Sequence, residues 1–270
     1  MSEKIHSSKK TVEAIRTNEA IEMRYRKQVE LRLRFCEAVV AKTGMPLVSA
    51  FEKYSDLLRR IEGISEIPDP EFEAAWRSKL GSVAELRTHE ERLNRLVQLY
   101  VENESNRLES ADNSFYPFSY DYDEPSRTIC PHFGTLNVKE SGVAGPGYLS
   151  SERFEEMRGK LRNMFTEIKR SYPDAEKVRG SSWLHGIDAY RRLYPKAYED
   201  TAVLRTDKFT GGGSWGQFLD TTGDLHTERA EQFLKNLDNL DPEKLYAAFP
   251  IPTYTVQCPI SEFYREYGIE

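Results

Sequence analysis

Cys130 and His132 stand two residues apart in "CPHFG", a spacing that turns both side chains to one face of a strand. An imidazole exchanges a proton near neutral pH with little help from its surroundings, so His132 is the first candidate for a general base. A strand histidine held only by hydrogen bonds reads the same way in sequence. Glu140 follows at the end of the same run, where a carboxylate could orient an amine or take its proton, or simply be solvated beside a glycine turn. Cys130, His132, Cys258 and His185 together offer the soft sulfur and imidazole ligands of zinc. They lack a C-x-x-C pair, and Cys130 and Cys258 also suit small buried positions, so no metal is expected.

The stretch "FTGGGSWGQF" places Gly211, Gly212 and Gly213 in a row, and glycine backbones can aim several N–H groups at a phosphate. No lysine followed by Ser or Thr completes a phosphate motif there, and three glycines equally allow a flexible loop. In "RGSSWLHGIDAYRRLYPKAY", Trp183 and His185 either line a cleft or pack a corner between a strand and a helix. The chain has no complete G-x-G-x-x-G, P-loop, H-E-x-x-H or G-x-S-x-G.

These residues need elements to position them. Residues 10–107 are charge-dense, poor in glycine and helical in pattern. Ile21, Tyr25, Val29, Leu33, Cys36 and Val40 form one apolar stripe on a long first helix that should stop near Gly44-Met45-Pro46. Further helices are predicted over 47–61, over 71–80 and from 83 onward, with Leu86, Leu93, Leu96, Val97 and Tyr100 on one face of the last. Four helices in this span predict a bundle. Only seven of the 31 aromatic residues precede Asp112, and the pattern changes there.

Segments 115–122 and 127–138 read as a hairpin across Asp123-Glu124-Pro125-Ser126. A glycine-rich connection at 142–147 leads to a helix whose buried face is Phe154, Met157, Leu161, Met164, Phe165 and Ile168. A strand over 177–184, a helix to 193, a loop at 211–216, a helix over 227–237, a strand over 253–258 and a short terminal helix complete the order. The expectation is an α+β chain: a helical domain at 1–111, then at 112–270 a mixed β-sheet packed with helices.

The 270 residues carry 38 basic and 44 acidic side chains, a net charge of −6 that implies no general attraction to nucleic acid or membranes. A polar, charged start predicts neither a signal peptide nor a membrane span, and three widely spaced cysteines suit reduced thiols, so a cytoplasmic location is expected.

From Tyr116 to Tyr267 the order of features resembles the GNAT-like acyltransferase family that joins a helical N-terminal domain to a GNAT-like C-terminal domain. The pieces that carry the likeness are "HFGTLNV", the glycine-rich turn, "SSERFEEMRGKLRNMFTEIKRSYP", "GSSWLHGIDAYRRLYP" and "VLRTDKF", with Ser182-Trp183-Leu184 the nearest to a motif. The insertion "GGGSWGQFLDTTGDL" after Phe209 departs from that pattern. The resemblance implies transfer of an acyl group from acyl-CoA, as co-substrate, to a small-molecule amine. His132 or Glu140 would then be the base, Tyr254 the acid toward the departing thiolate, Gly211, Gly212, Gly213 and Arg205 the donor contacts, and Trp183 and His185 the cleft wall. Two other readings stand beside it: a non-catalytic interaction protein that uses its N-terminal helical bundle for partner or self-association, and a metal-dependent hydrolase built on Cys130, His132 and Cys258.

Overall fold

Gly44 takes a left-handed φ of +72°, which ends the first helix one residue earlier, and Pro46 then caps the second. In the computed structural model the described residues are 2–64, 67–102, 115–134, 146–206, 212–220 and 223–270, with side chains described from residue 22. The chain forms α1 (Ser2–Thr43), α2 (Leu47–Tyr54), α3 (Leu57–Glu62), α4 (Pro70–Ala84) and α5 (His89–Glu102). The single helix expected over 47–61 is two. Ser55 is extended, its hydroxyl turns back to the Phe51 carbonyl, and Asp56 points inward between them. Val83 lies in α4 rather than opening the next helix. α5 begins later, where Thr88 and Glu91 accept each other's backbone N–H in a capping box.

The chain divides into two units. The helical unit contains Met1–Leu108, Phe209–Asp220 and Asp224–Pro250, so it is discontinuous in sequence, and residues 212–220 and 224–250 fold with the helices rather than with the sheet. The reason is an aromatic cluster. Phe35 of α1 meets Trp215, Phe233 and Phe249 at ring separations of 5.4–5.8 Å, and Phe218 joins them. α9 (Thr227–Asp238) supplies Phe233. The Trp215 indole N–H donates to the Tyr54 carbonyl at 3.1 Å, and the Arg32 guanidinium lies over the Trp215 ring at 4.8 Å.

The second unit comprises Glu109–Lys208, Thr221–Gly223 and Ile251–Glu270. Its strands are β1 (Phe118–Asp123), β2 (Thr128–Phe133), β3 (Lys177–Ser182), β4 (Val203–Leu204) and β5 (Tyr254–Pro259), arranged β1-β2-β3-β5-β4. Only β2 and β3 are parallel. α6 (Phe154–Ser171) crosses between them and buries Met157, Leu161, Met164, Phe165 and Ile168, the face that its periodicity predicts. α10 (Ile260–Tyr267) joins it, with Phe263 stacked on Phe165 at 4.4 Å. Ile129, Val178, Val256 and Cys258 face these helices. Asp121, His132, Arg179, Ser181 and Gln257 project from the other face and are exposed. The chain is thus α+β, a helical part preceding a mixed sheet packed with helices. Among the described residues no helix is long and apolar enough to cross a membrane.

Candidate functional site

Pro131 sets the geometry of the site. The Arg127 carbonyl accepts from the Glu176 and Lys177 N–H groups, and the β2–β3 pairing then runs Thr128–Lys177 and Ile129–Val178. In a parallel ladder every second residue of a strand faces the same neighbour, so after Ile129 the next residue of β2 to face β3 is Pro131. Proline has no N–H to donate, and the ladder stops after two residue pairs. Beyond Ile129 and Val178 no further residue pair of β2 and β3 is in ladder register, while β1 and β5 remain paired on their outer sides.

Gly180 lies on β3 just past the last pair with β2 and faces the helix-covered side, opposite Val256 of β5. Two polar groups converge on it. A Cβ built at Gly180 would sit 2.4 Å from the Tyr198 hydroxyl oxygen and 3.0 Å from His185 Nε2. Local structure delivers both. The Ser182 hydroxyl accepts the Leu184 N–H and starts a 3-10 turn, Trp183–Gly186, that carries His185 back over the strand. Pro195 ends the preceding turn and caps α8 (Lys196–Glu199), which presents Tyr198 and Glu199 side by side.

His185 Nδ1 lies 2.9 and 3.2 Å from the two carboxylate oxygens of Glu199, and both residues are about 4% exposed. An ionised carboxylate can only accept, so Nδ1 carries the hydrogen and a neutral ring turns the Nε2 lone pair toward Gly180. Arg191 Nε stands 3.5 Å from the second Glu199 oxygen. Among the described residues the Tyr198 hydroxyl is buried and has no hydrogen-bond partner. Burial, with the nearby Tyr190 and Glu199, raises its pKa well above the ordinary phenol value, so it remains a proton donor. Tyr190, on α7 (Asp188–Arg191), and Tyr194 wall the site and share a 2.8 Å hydroxyl hydrogen bond. The arrangement is a carboxylate-oriented imidazole beside an unsatisfied phenol, which together can take one proton and return another.

The residues singled out in sequence fall elsewhere, with one exception. His132 projects from the uncovered face, its Nε2 2.7 Å from Asp121 Oδ2 and about half exposed. Tyr254 is opposite Ser182 in the β3–β5 register and shares the helix-covered side with Val256 and Cys258. His132 and Tyr254 therefore lie on opposite faces of the sheet, and one reacting centre cannot touch both. Cys130 and His132 are likewise separated from Cys258, so the hydrolase ligand set does not converge, and no group of three metal-binding side chains exists among the described residues. Glu140 and Gly211 lie outside the described residues. Gly212 and Gly213 begin a 3-10 turn, Gly212–Phe218, in the helical unit, where a loop was expected. Arg205 donates its backbone N–H to Thr253 O at 2.9 Å and its guanidinium to Ser181 Oγ at 3.2 Å. Trp183 is half-buried and packs against the sheet core. His185 is the exception: it lies at the centre of the cluster.

Glu199 and Tyr198 were missed, although Tyr190, Tyr194 and Tyr198 recur at intervals of four, a helical-face signal in "YRRLYPKAYE" that Pro195 obscures. Comparison with models of known protein families, with curated proteins and with solved structures finds no match.

Proposed function

We propose that the sheet unit transfers an acyl group from an acyl thioester, acyl-CoA, to an amine, with His185, Glu199 and Tyr198 at the reacting centre in place of His132 and Tyr254. One observation carries this reading: the β2–β3 ladder ends at Pro131 beside Gly180, where the His185 Nε2 and the Tyr198 hydroxyl meet. Where Pro131 leaves the Arg179 carbonyl without a donor from β2, an extended ligand arm that carries amides can supply one, the bonding that a further strand would make. The pantetheine arm of CoA is such a ligand.

In this mechanism the amine nitrogen attacks the thioester carbonyl carbon, and His185 Nε2 removes its proton, with Glu199 stabilising the imidazolium. The C–S bond breaks as the amide forms, and the Tyr198 hydroxyl passes its proton to the thiolate. The proton on His185 then returns to Tyr198, leaving the site as it began. A base so placed contributes about 10²- to 10⁴-fold to rate. The three cysteines are free thiols, which suits the reducing cytoplasm proposed as the location.

Calorimetric titration with acetyl-CoA and longer acyl-CoAs tests the reading. Binding of at least one is expected, and binding of none removes it.

A further inference from the structure

Glu199 carries a negative charge into the aromatic interior of the sheet unit. Its side chain is 5% exposed and that of His185 2%. A carboxylate so far from water needs a counter-charge, or it takes up a proton. Three phenols lie close enough to feel its charge: Tyr190 on α7, Tyr198 beside it on α8 and Tyr267 on α10. Burial holds all three above the ordinary phenol value, so they stay neutral. Among the described residues the one cation paired with Glu199, besides the His185 ring itself, is Arg191 at the end of α7, with Nε 3.5 Å from Oε2. This Nε atom is buried and makes no hydrogen bond among the described residues, while the side chain as a whole is 42% exposed. Arg191 thus meets Glu199 as a charge rather than as a hydrogen-bond donor. Its other acidic neighbour, Asp188 Oδ1 at 3.7 Å, is fully exposed and screened by water.

The charge count decides where the proton sits. With Glu199 ionised, Arg191 cationic and His185 neutral, the cluster is neutral as a whole, and the single imidazole hydrogen lies on Nδ1. Without Arg191 the same cluster would hold an uncompensated negative charge and take up one proton. On His185, that proton would leave both ring nitrogens carrying hydrogen. On Glu199, the new O–H would donate to Nδ1 and the ring hydrogen would move to Nε2. Both outcomes occupy Nε2.

We propose that Arg191 is a positioning residue that keeps His185 Nε2 unprotonated, acting through Glu199 by supplying the charge that a proton would otherwise bring. The inference rests on the acyl-thioester reading for its consequence, that Nε2 is open to the proton of the amine, and adds the residue that keeps it so.

Nitrogen-15 NMR of the imidazole rings, run without ligand, reads the proton on each ring nitrogen, and His185→Gln identifies the signal among the five histidines. At about pH 7.5 wild type should show Nδ1 protonated and Nε2 unprotonated. Arg191→Gln should lose the unprotonated Nε2 signal and regain it as pH rises and the extra proton leaves. Arg191→Lys keeps the charge and should keep the wild-type pattern, and Arg191→Met supplies a second neutral variant should Arg191→Gln not fold. An Nε2 unchanged in the neutral variants, or lost equally in Arg191→Lys, would overturn the assignment and leave the acyl-thioester reading intact. Absence of acyl-CoA binding would overturn that reading and leave the assignment standing. A protonated Nε2 in wild type would overturn the assignment and remove His185 as the base.

Discussion

Gly180→Ala tests the convergence directly. The added methyl would sit 2.4 Å from the Tyr198 hydroxyl oxygen and 3.0 Å from His185 Nε2, where ordinary contacts begin near 3.4 Å. Tyr198 has little room to retreat, because it is fully buried against Phe263 at 4.9 Å and Tyr194 at 5.7 Å. Overpacking of this kind costs about 1–3 kcal/mol, or about 3–9 °C in Tm at roughly 3 °C per kcal/mol. Tyr198→Phe acts in the opposite sense. It removes a buried hydroxyl that has no partner and so relieves a desolvation cost of about 1–3 kcal/mol, and Tm should hold or rise. With the hydroxyl gone, Gly180→Ala meets less obstruction, so the two substitutions should couple by about 1 kcal/mol or more in a double-mutant cycle. Scanning calorimetry of the four proteins reads this out. Additive effects, or a Tyr198→Phe protein less stable than wild type by more than about 1 kcal/mol, would show that the hydroxyl is not where the argument requires it.

Three further outcomes follow from the same structure. Asp56 is buried between Arg32 and Arg60, with Oδ2 at 3.1 and 2.8 Å from their guanidinium nitrogens. Burial pushes its carboxyl up, but the two guanidiniums outweigh that and hold it well below the usual carboxylate range. A folded pKa below the unfolded one contributes stability above about pH 4 that is lost as pH falls below it. Asp56→Asn should cost about 3–5 kcal/mol at pH 7 and progressively less toward pH 2, measured by urea unfolding. Pro131→Val restores a donor for the Arg179 carbonyl, so the amide at 131 should be protected from hydrogen exchange and acyl-CoA affinity should fall. Burial raises the Cys258 thiol to about 12 and that of Cys130 to a lesser extent, so at pH 8 both should alkylate more slowly than a free cysteine peptide, with rates that climb as pH rises.

Local pattern was enough for the elements that bury one periodic face. α6 with its five buried residues, α9 and the late strand lie within a few residues of their expected bounds, and the hairpin forms where expected, with 135–138 of its second segment outside the described residues. Other features depend on partners far away in sequence. The glycines at 212–213 read as a loop because nothing nearby shows that Trp215 packs on Phe35 of α1, which also draws 212–220 and 224–250 into the helical unit. His132 was the natural base on residue type, yet strand register decides which face a side chain takes, and register came from pairings that no single strand encodes. "SSWLHG" was singled out for its Trp and His, whereas the carboxylate that orients His185 is fourteen residues further on, past Pro195. Pro131 carries no signal of its own within "CPHFG", because its effect appears only when β3 is beside it.

The most direct test of the central claim is thiol release from acetyl-CoA, followed with and without a panel of primary amines, in wild type and in His185→Gln. Amine-dependent release by wild type is expected, with at least a hundredfold loss in His185→Gln at unchanged acetyl-CoA affinity. Release by His185→Gln at the wild-type rate, with loss on His132→Gln instead, would return the base to the uncovered face and contradict the account.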